Sequence, residues 1–305
     1  MSGPTPIANR LMDAPVAGGR LPHAGASRAE LAALLRQALA KGLHGLCFSA
    51  YLPGQSPDLN TQLGDAQILA RLEIIRPFTR WVRTFSCTDG NEKTPRLAHR
   101  LGLKTLVGAW LGTDRAKNEV ELQSAIEVAR ASHADILAIG NEVLLREDLP
   151  EAELVDYLGR AKAALPGVPI SYVDAYYLFV QHPRLVEACD VLLANCYPFW
   201  EYCDLEHSLA YMKEMYARVV GVAGGRQVLI SETGWPSAGT PVGAAVPSEE
   251  NALRYLLATL EWTEAAGIDL FYFSAFDEAW KAGPEGDRGV TWGLWDQDGK
   301  PKYGV

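Results

Sequence analysis

Residues suited to a metal centre or a disulfide framework are scarce in this 305-residue chain. Its five cysteines, Cys47, Cys87, Cys189, Cys196 and Cys203, are odd in number and include no CxxC pair. That excludes a fully paired scaffold and leaves reduced core or near-core thiols as the expectation. Six histidines are scattered, with no HExxH and no tight His/Cys cluster, so neither a zinc site nor any other cofactor is expected. Positive charge is also thin: 28 Lys and Arg against 37 Asp and Glu leave a net charge of -9. This supplies no basic face for nucleic acid and disfavours anionic membranes, so a neutral or mildly cationic substrate fits better. No apolar run approaches the roughly 20 residues of a membrane-spanning helix, so no intrinsic membrane segment is expected. The N-terminal Met-Ser-Gly-Pro-Thr-Pro-Ile-Ala-Asn-Arg lacks the apolar core of a secretory signal. It reads as a cytoplasmic start, or as the edge of a soluble domain excised from a larger exported or membrane-attached protein. Absence of a GxGxxG after the first strand-like run, and of a Walker A sequence, reduces nucleotide binding to a weak alternative.

What remains is a chain 48% hydrophobic, long enough to bury a large core. Residues 1–24, rich in Gly, Pro and Ala, read as a partly ordered lead-in. Ser27 with Glu30 forms a capping-box signature for a helix through Ala40, and Gly42 supplies its stop. Thereafter the chain alternates. Apolar strand-like runs occur near 44–50, 80–86, 104–110, 136–141, 168–173, 190–196, 227–231 and 268–275. Helical patterns separate them near 61–75, 91–101, 117–133, 151–165, 181–188, 205–221 and 248–266. In the last of these, Leu253, Leu256, Leu257 and Leu260 share one face, Ser248 stands at the start and Gly267 at the end. Eight strands alternating with helices predict a parallel sheet, and closure into a single-domain (β/α)8 barrel over 25–305 leaves no exposed edge.

Barrel chemistry is delivered where strands end. Two carboxylates occupy such positions: Glu142 in Ile-Leu-Ala-Ile-Gly-Asn-Glu-Val, and Glu232 in Val-Leu-Ile-Ser-Glu-Thr-Gly-Trp-Pro. Taken singly, each is as readily a loop acid that caps a helix or pairs with arginine. Jointly they fit a retaining glycoside hydrolase, with Glu142 as acid/base and Glu232 as nucleophile, about 5–5.5 Å apart. Spacing alone also leaves enolase-like and aldolase-like chemistry open. Trp235 and Trp280 are candidate walls around the cleaved sugar, and Tyr176, Tyr177, Phe199, Trp200, Tyr202 and Trp110 offer further aromatic platforms.

Several separated motifs carry a family resemblance over about residues 44–303. They are Gly45-Leu46-Cys47-Phe48-Ser49, Val82-Arg83-Thr84-Phe85, Gly140-Asn141-Glu142-Val143, Asn195-Cys196-Tyr197-Pro198, Ser231-Glu232-Thr233-Gly234-Trp235-Pro236-Ser237, Phe276-Asp277-Glu278-Ala279-Trp280-Lys281 and Trp292-Gly293-Leu294-Trp295. In this order they resemble glycoside hydrolase family 17, the β-1,3-glucanases and β-1,3-glucanosyltransferases. The resemblance implies a microbial-type catalytic domain acting on a β-1,3-glucan or laminari-oligosaccharide. It implies that Asn141 binds the sugar 2-hydroxyl, that the Tyr197 phenol donates to Glu232, that Arg83 supports the nucleophile, and that Glu278 and Lys281 form a charged network beside the sugar.

Hydrolysis and transglycosylation share both covalent steps, so the motifs leave a glucanase or glucan β-1,3-glucosidase and a glucanosyltransferase open together. A non-catalytic glucan-binding barrel is the alternative from a different class. One departure from the family stands out: only Pro198 to Asp204 separates the sixth strand motif from its helix. The extended sixth loop of plant endo-glucanases has no room there.

Overall fold

A computed structural model describes residues 21–304. Most of the expected lead-in, residues 1–20, lies outside the described residues. The first helix, α1 (Arg28–Lys41), begins where its capping box predicts: Ser27 N donates to the Glu30 carboxylate at 2.8 Å, and Glu30 N to Ser27 Oγ at 3.4 Å. It stops at Gly42, whose φ is 80°.

Eight short strands follow in strict order: β1 (Leu43–Cys47), β2 (Thr79–Arg83), β3 (Lys104–Ala109), β4 (Ile136–Asn141), β5 (Ile170–Ala175), β6 (Leu192–Asn195), β7 (Val228–Thr233) and β8 (Leu270–Tyr272). Each pairs in parallel with the next, and β8 returns to β1 through Gly45 opposite Phe271 and Leu46 opposite Tyr272. The sheet is therefore a closed (β/α)8 barrel. Gly45 permits the closure, because a Cβ there would stand 2.4 Å from the Phe271 ring.

The outer layer consists of α2 (Asp65–Ile75), α3 (Thr94–Arg100), α4 (Arg115–Arg130), α5 (Glu151–Ala164), α6 (Tyr176–Gln181), α7 (Pro183–Ala188), α8 (Leu205–Val222) and α9 (Glu249–Ala266), with α1 beside α9; a one-turn α10 (Ala282–Glu285) lies in the loop after β8. In α9, Ser248 Oγ accepts from Asn251 N at 3.0 Å, a cap worth about 1 kcal/mol. Its residues Leu253, Leu256 and Leu257 are buried, each burial contributing roughly 2 kcal/mol. Two expectations need adjustment. The helix predicted near 181–188 is α7, opened by Pro183, and an unexpected short helix, α6, precedes it. The one predicted from 61 begins at Asp65, since Leu63 N is engaged by Asp89 O at 2.9 Å.

All five cysteines are free, four of them buried. No helix among the described residues is long and apolar enough to cross a membrane. Because the strands run parallel, their last residues share one rim. Arg83, Asn141 and Asn195 end β2, β4 and β6, and Glu232 is the penultimate residue of β7.

Candidate active site

Every residue of β7 is buried, and Glu232 is only 6% exposed. Three donors from two other strand ends, those of β2 and β6, converge on its carboxyl. Arg83 Nη1 reaches Oε1 at 2.6 Å, Asn195 Nδ2 reaches the same oxygen at 3.1 Å, and the Tyr197 hydroxyl reaches Oε2 at 2.8 Å. Arg83 is 1% exposed. Burial alone would depress its pKa; Glu232 and Cys47 more than offset this and hold it above the ordinary value. Burial first, and Glu232 second, push the Tyr197 phenol well up, so it faces Glu232 as a neutral donor.

Glu142 is set by local backbone geometry. Pairing between β4 and β5 slips between Ala138 and Asn141, Gly140 takes φ 91° and Glu142 itself φ 51°. A left-handed glutamate is unfavourable by about 1 kcal/mol, and here the Glu142 N–H is tied to Val173 O at 2.8 Å. The turn brings the Glu142 carboxyl to Asn195 Nδ2 at 2.8 Å. One nitrogen thus touches an oxygen of each glutamate, which confines those two oxygens to within about 6 Å of each other. Desolvation, then the neighbouring Glu232, raise the Glu142 pKa to about 7, against smaller lowering effects from Asn195, Arg146 and Arg83.

The amides are oriented by their partners. Asn141 Oδ1 accepts from Arg83 Nη2 at 2.7 Å, which leaves its NH2 to donate elsewhere. Asn195 Oδ1 accepts from Ser231 Oγ at 2.8 Å, which turns Nδ2 toward both glutamates. Sequence reasoning did not single out Asn195 as a site residue, although it opens a quoted motif at the end of an apolar run.

The family model of the BtgE/BtgC glycoside hydrolase domain matches residues 45–293. The chain belongs to this family, and so to glycoside hydrolase family 17. It is a carbohydrate-active enzyme. A glucan 1,3-beta-glucosidase of Candida albicans is 27% identical over 83% of this chain and 88% of its own length. Another, of Arthroderma benhamiae, is 30% identical over 73% of this chain and 78% of its own. The crystal structure of a family 17 β-1,3-glucanosyltransferase from Rhizomucor miehei, 28% identical, superposes with a TM-score of 0.78 over 87% of this chain and 97% of that one. An active-site mutant of the Rhizomucor enzyme was solved in complex with laminaritriose.

Elsewhere in this family 17 domain, the predicted residues divide into those that face the rim and those that do not. Lys281 Nζ lies 3.1 Å from Glu278, 3.7 Å from Glu285 and 3.9 Å from the centroid of Phe273. Burial lowers the Lys281 pKa, and Glu278, Glu285 and Glu232 together overcome that and raise it. Glu285 was not anticipated; it joins through α10, an element too short to leave a periodic pattern. Trp280 is partly exposed, edge-on to Tyr51, and its buried Nε1 has no hydrogen-bond partner among the described residues. Trp200 is half-buried against Phe199 and Trp292. Trp110 is 41% exposed, with the Arg146 guanidinium 4.4 Å from its ring centroid. Arg146 also donates to Asn141 O at 2.7 Å, which links that ring to the turn carrying Glu142.

Four expected contacts are corrected, among them Tyr177 and Phe199, which are buried. Trp235 is 0% exposed: its indole N–H donates to Val246 O at 3.0 Å, and its ring packs between Phe199 and Tyr255 of α9. It is core, not a wall of the cleft. Tyr176 is likewise buried, with its hydroxyl 3.3 Å from Glu201, because it opens α6, which folds back against α8.

Proposed function

We propose that this family 17 enzyme cleaves β-1,3-glucans with retention of anomeric configuration, by double displacement within one catalytic domain spanning residues 25–305. The observation that carries the reading is the single Asn195 nitrogen bonded to both Glu142 and Glu232. The substrate class is taken from relatives named as glucan 1,3-beta-glucosidases and from the laminaritriose complex of the Rhizomucor enzyme.

Glu142, with its pKa near 7, holds a proton over much of the neutral range and gives it to the departing glycosidic oxygen. Glu232 attacks the anomeric carbon as that bond breaks, forming a glucosyl ester. Arg83, Asn195 and Tyr197 hold the nucleophile in a fixed orientation before attack. The Asn141 NH2 is the donor for the sugar 2-hydroxyl, and Trp280 with Lys281 and Glu278 borders the ring being cleaved. In the second step Glu142, now an anion, takes a proton from water or from a sugar hydroxyl. The resulting oxygen nucleophile displaces Glu232 from the anomeric carbon.

Transfer to a sugar is the second reading, and a particular observation favours it. Trp110 presents an exposed face beside the Glu142 turn, where an acceptor ring would stack while its hydroxyl approaches the ester. Time-resolved product analysis on linear β-1,3-gluco-oligosaccharides tests both. Products longer than the donor establish transfer, and shorter products alone establish hydrolysis. Release of the inverted anomer would refute the double displacement.

A further inference from the structure

Beside β4, strand β5 carries two fully buried polar residues that the chemistry above does not use, Tyr172 and Asp174. Among the described residues Asp174 accepts from neutral donors. One oxygen accepts from the Tyr172 hydroxyl and the other from Ala175 N at 2.8 Å, with the Leu145 N–H also favouring it. The Tyr172 hydroxyl in turn accepts from Leu144 N at 2.9 Å, two residues beyond Glu142. A chain of donors therefore runs from the backbone of the Glu142 turn through Tyr172 into Asp174. The same turn is tied to β5 by Glu142 N to Val173 O, and closed on itself by Arg146 N to Glu142 O at 3.0 Å. Gly140 makes room for the arrangement, since a Cβ there would stand 2.9 Å from Val143 and 3.2 Å from the Tyr172 ring.

We propose that Tyr172 and Asp174 are positioning residues for the proton donor: Asp174 anchors Tyr172, and Tyr172 fixes the turn that aims Glu142. This rests on the assignment of Glu142 as acid/base. Burial and then Glu142 raise the Asp174 pKa to about 8, while the hydrogen bonds it accepts from Tyr172, Ala175 and Leu145 act in the opposite direction.

The test compares aryl β-glucosides of laminari-oligosaccharides bearing good and poor leaving groups, with wild type, Glu142→Ala, Tyr172→Phe and Asp174→Asn in the full chain. For Tyr172→Phe we expect kcat/KM to fall about 10- to 100-fold with the poor leaving group and no more than about threefold with the good one, as for misplacement of a general acid. Asp174→Asn stays within about threefold on both, because its amide oxygen still accepts from Tyr172. Should Tyr172→Phe fail to fold, Asp174→Ala, which removes the anchor alone, is expected to show the same leaving-group asymmetry. Equal losses on both substrates, or none, would overturn the positioning role. Loss of leaving-group selectivity in Glu142→Ala would instead remove the acid assignment itself, whereas selectivity there and none in Tyr172→Phe overturns the relay alone.

Discussion

Glu142 should make the enzyme less stable as pH rises, and replacing it by glutamine should remove that dependence. Its pKa stands at about 7 in the folded chain against an ordinary 4.5, chiefly through burial and secondly through Glu232. Between these values the native state keeps a proton that the unfolded chain has lost, so the unfolded state binds fewer protons and stability falls with pH. The contribution is whole below about pH 4.5 and gone above about pH 7. A shift of this size corresponds to about 3 kcal/mol. Glu142→Gln is neutral at every pH and keeps an oxygen to accept from Asn195 Nδ2. The variant should therefore match wild type at pH 4.5 and exceed it by about 3 kcal/mol at pH 7.5, roughly 5 °C in Tm for a chain of this size. Urea unfolding of both proteins from pH 4.5 to 7.5 measures it. The upper limit keeps most of the Asp174 titration, at about 8, outside the window. A stability difference that does not change with pH would refute the reasoning, because it would mean that Glu142 is not held protonated by its surroundings. Activity runs the other way: wild-type kcat/KM should lose its acid near pH 7, while Glu142→Gln is expected to be nearly inert on unactivated glucan.

Arg83→Met removes the cation from a buried pair and leaves Glu232 with Asn195 and Tyr197 only; stability should fall by about 3–5 kcal/mol in urea unfolding, and a loss below about 1 kcal/mol would count against the pair being intact in solution. Glu232→Ala should lower kcat by about 1,000-fold or more, and azide should restore turnover by forming a glycosyl azide in the vacated space; untreated activity near wild type would defeat the nucleophile assignment. The two tryptophans should separate cleanly: Trp235→Ala lowers stability by about 3–5 kcal/mol as a buried core ring, whereas Trp110→Ala leaves stability within about 0.5 kcal/mol and raises KM for long oligosaccharides. Reversal of that pattern in thermal melts and steady-state kinetics would show the rings to be misplaced.

The barrel was legible because its physics is one-dimensional. A strand covered on both faces reads as a short apolar run, as in Val228, Leu229 and Ile230, and a helix start reads from Ser27 with Glu30 or from Ser248. Glu142 and Glu232 stood out because acids closing apolar runs need a reason to be there, and the structure brings them to one amide together with Arg83, Asn141 and Tyr197. Aromatic residues were read less well, since the face that a ring presents depends on the turn that carries it. Trp235 and Trp110 each follow a strand, yet one turns inward to Tyr255 and the other outward beneath Arg146.

Asn195 and Asp174 show why a search by residue type falls short at such a site. An asparagine ending a strand has no signature of its own; its meaning here comes from Ser231, which fixes its oxygen and so commits its nitrogen to the two glutamates. Asp174 did carry a readable signal, an acid inside the apolar run Ile170–Ala175, of the same kind that marked Glu142. The two acids differ in what surrounds them. Glu142 reaches the rim and meets a donor shared with a second carboxyl, whereas Asp174 is sealed beneath it with a phenol and backbone N–H groups. The same burial raises both, and only the one with access to the cleft can exchange its proton with a substrate. On the proposed roles, access to the cleft, more than the size of the pKa shift, separates the acid that reacts from the acid that holds it in place.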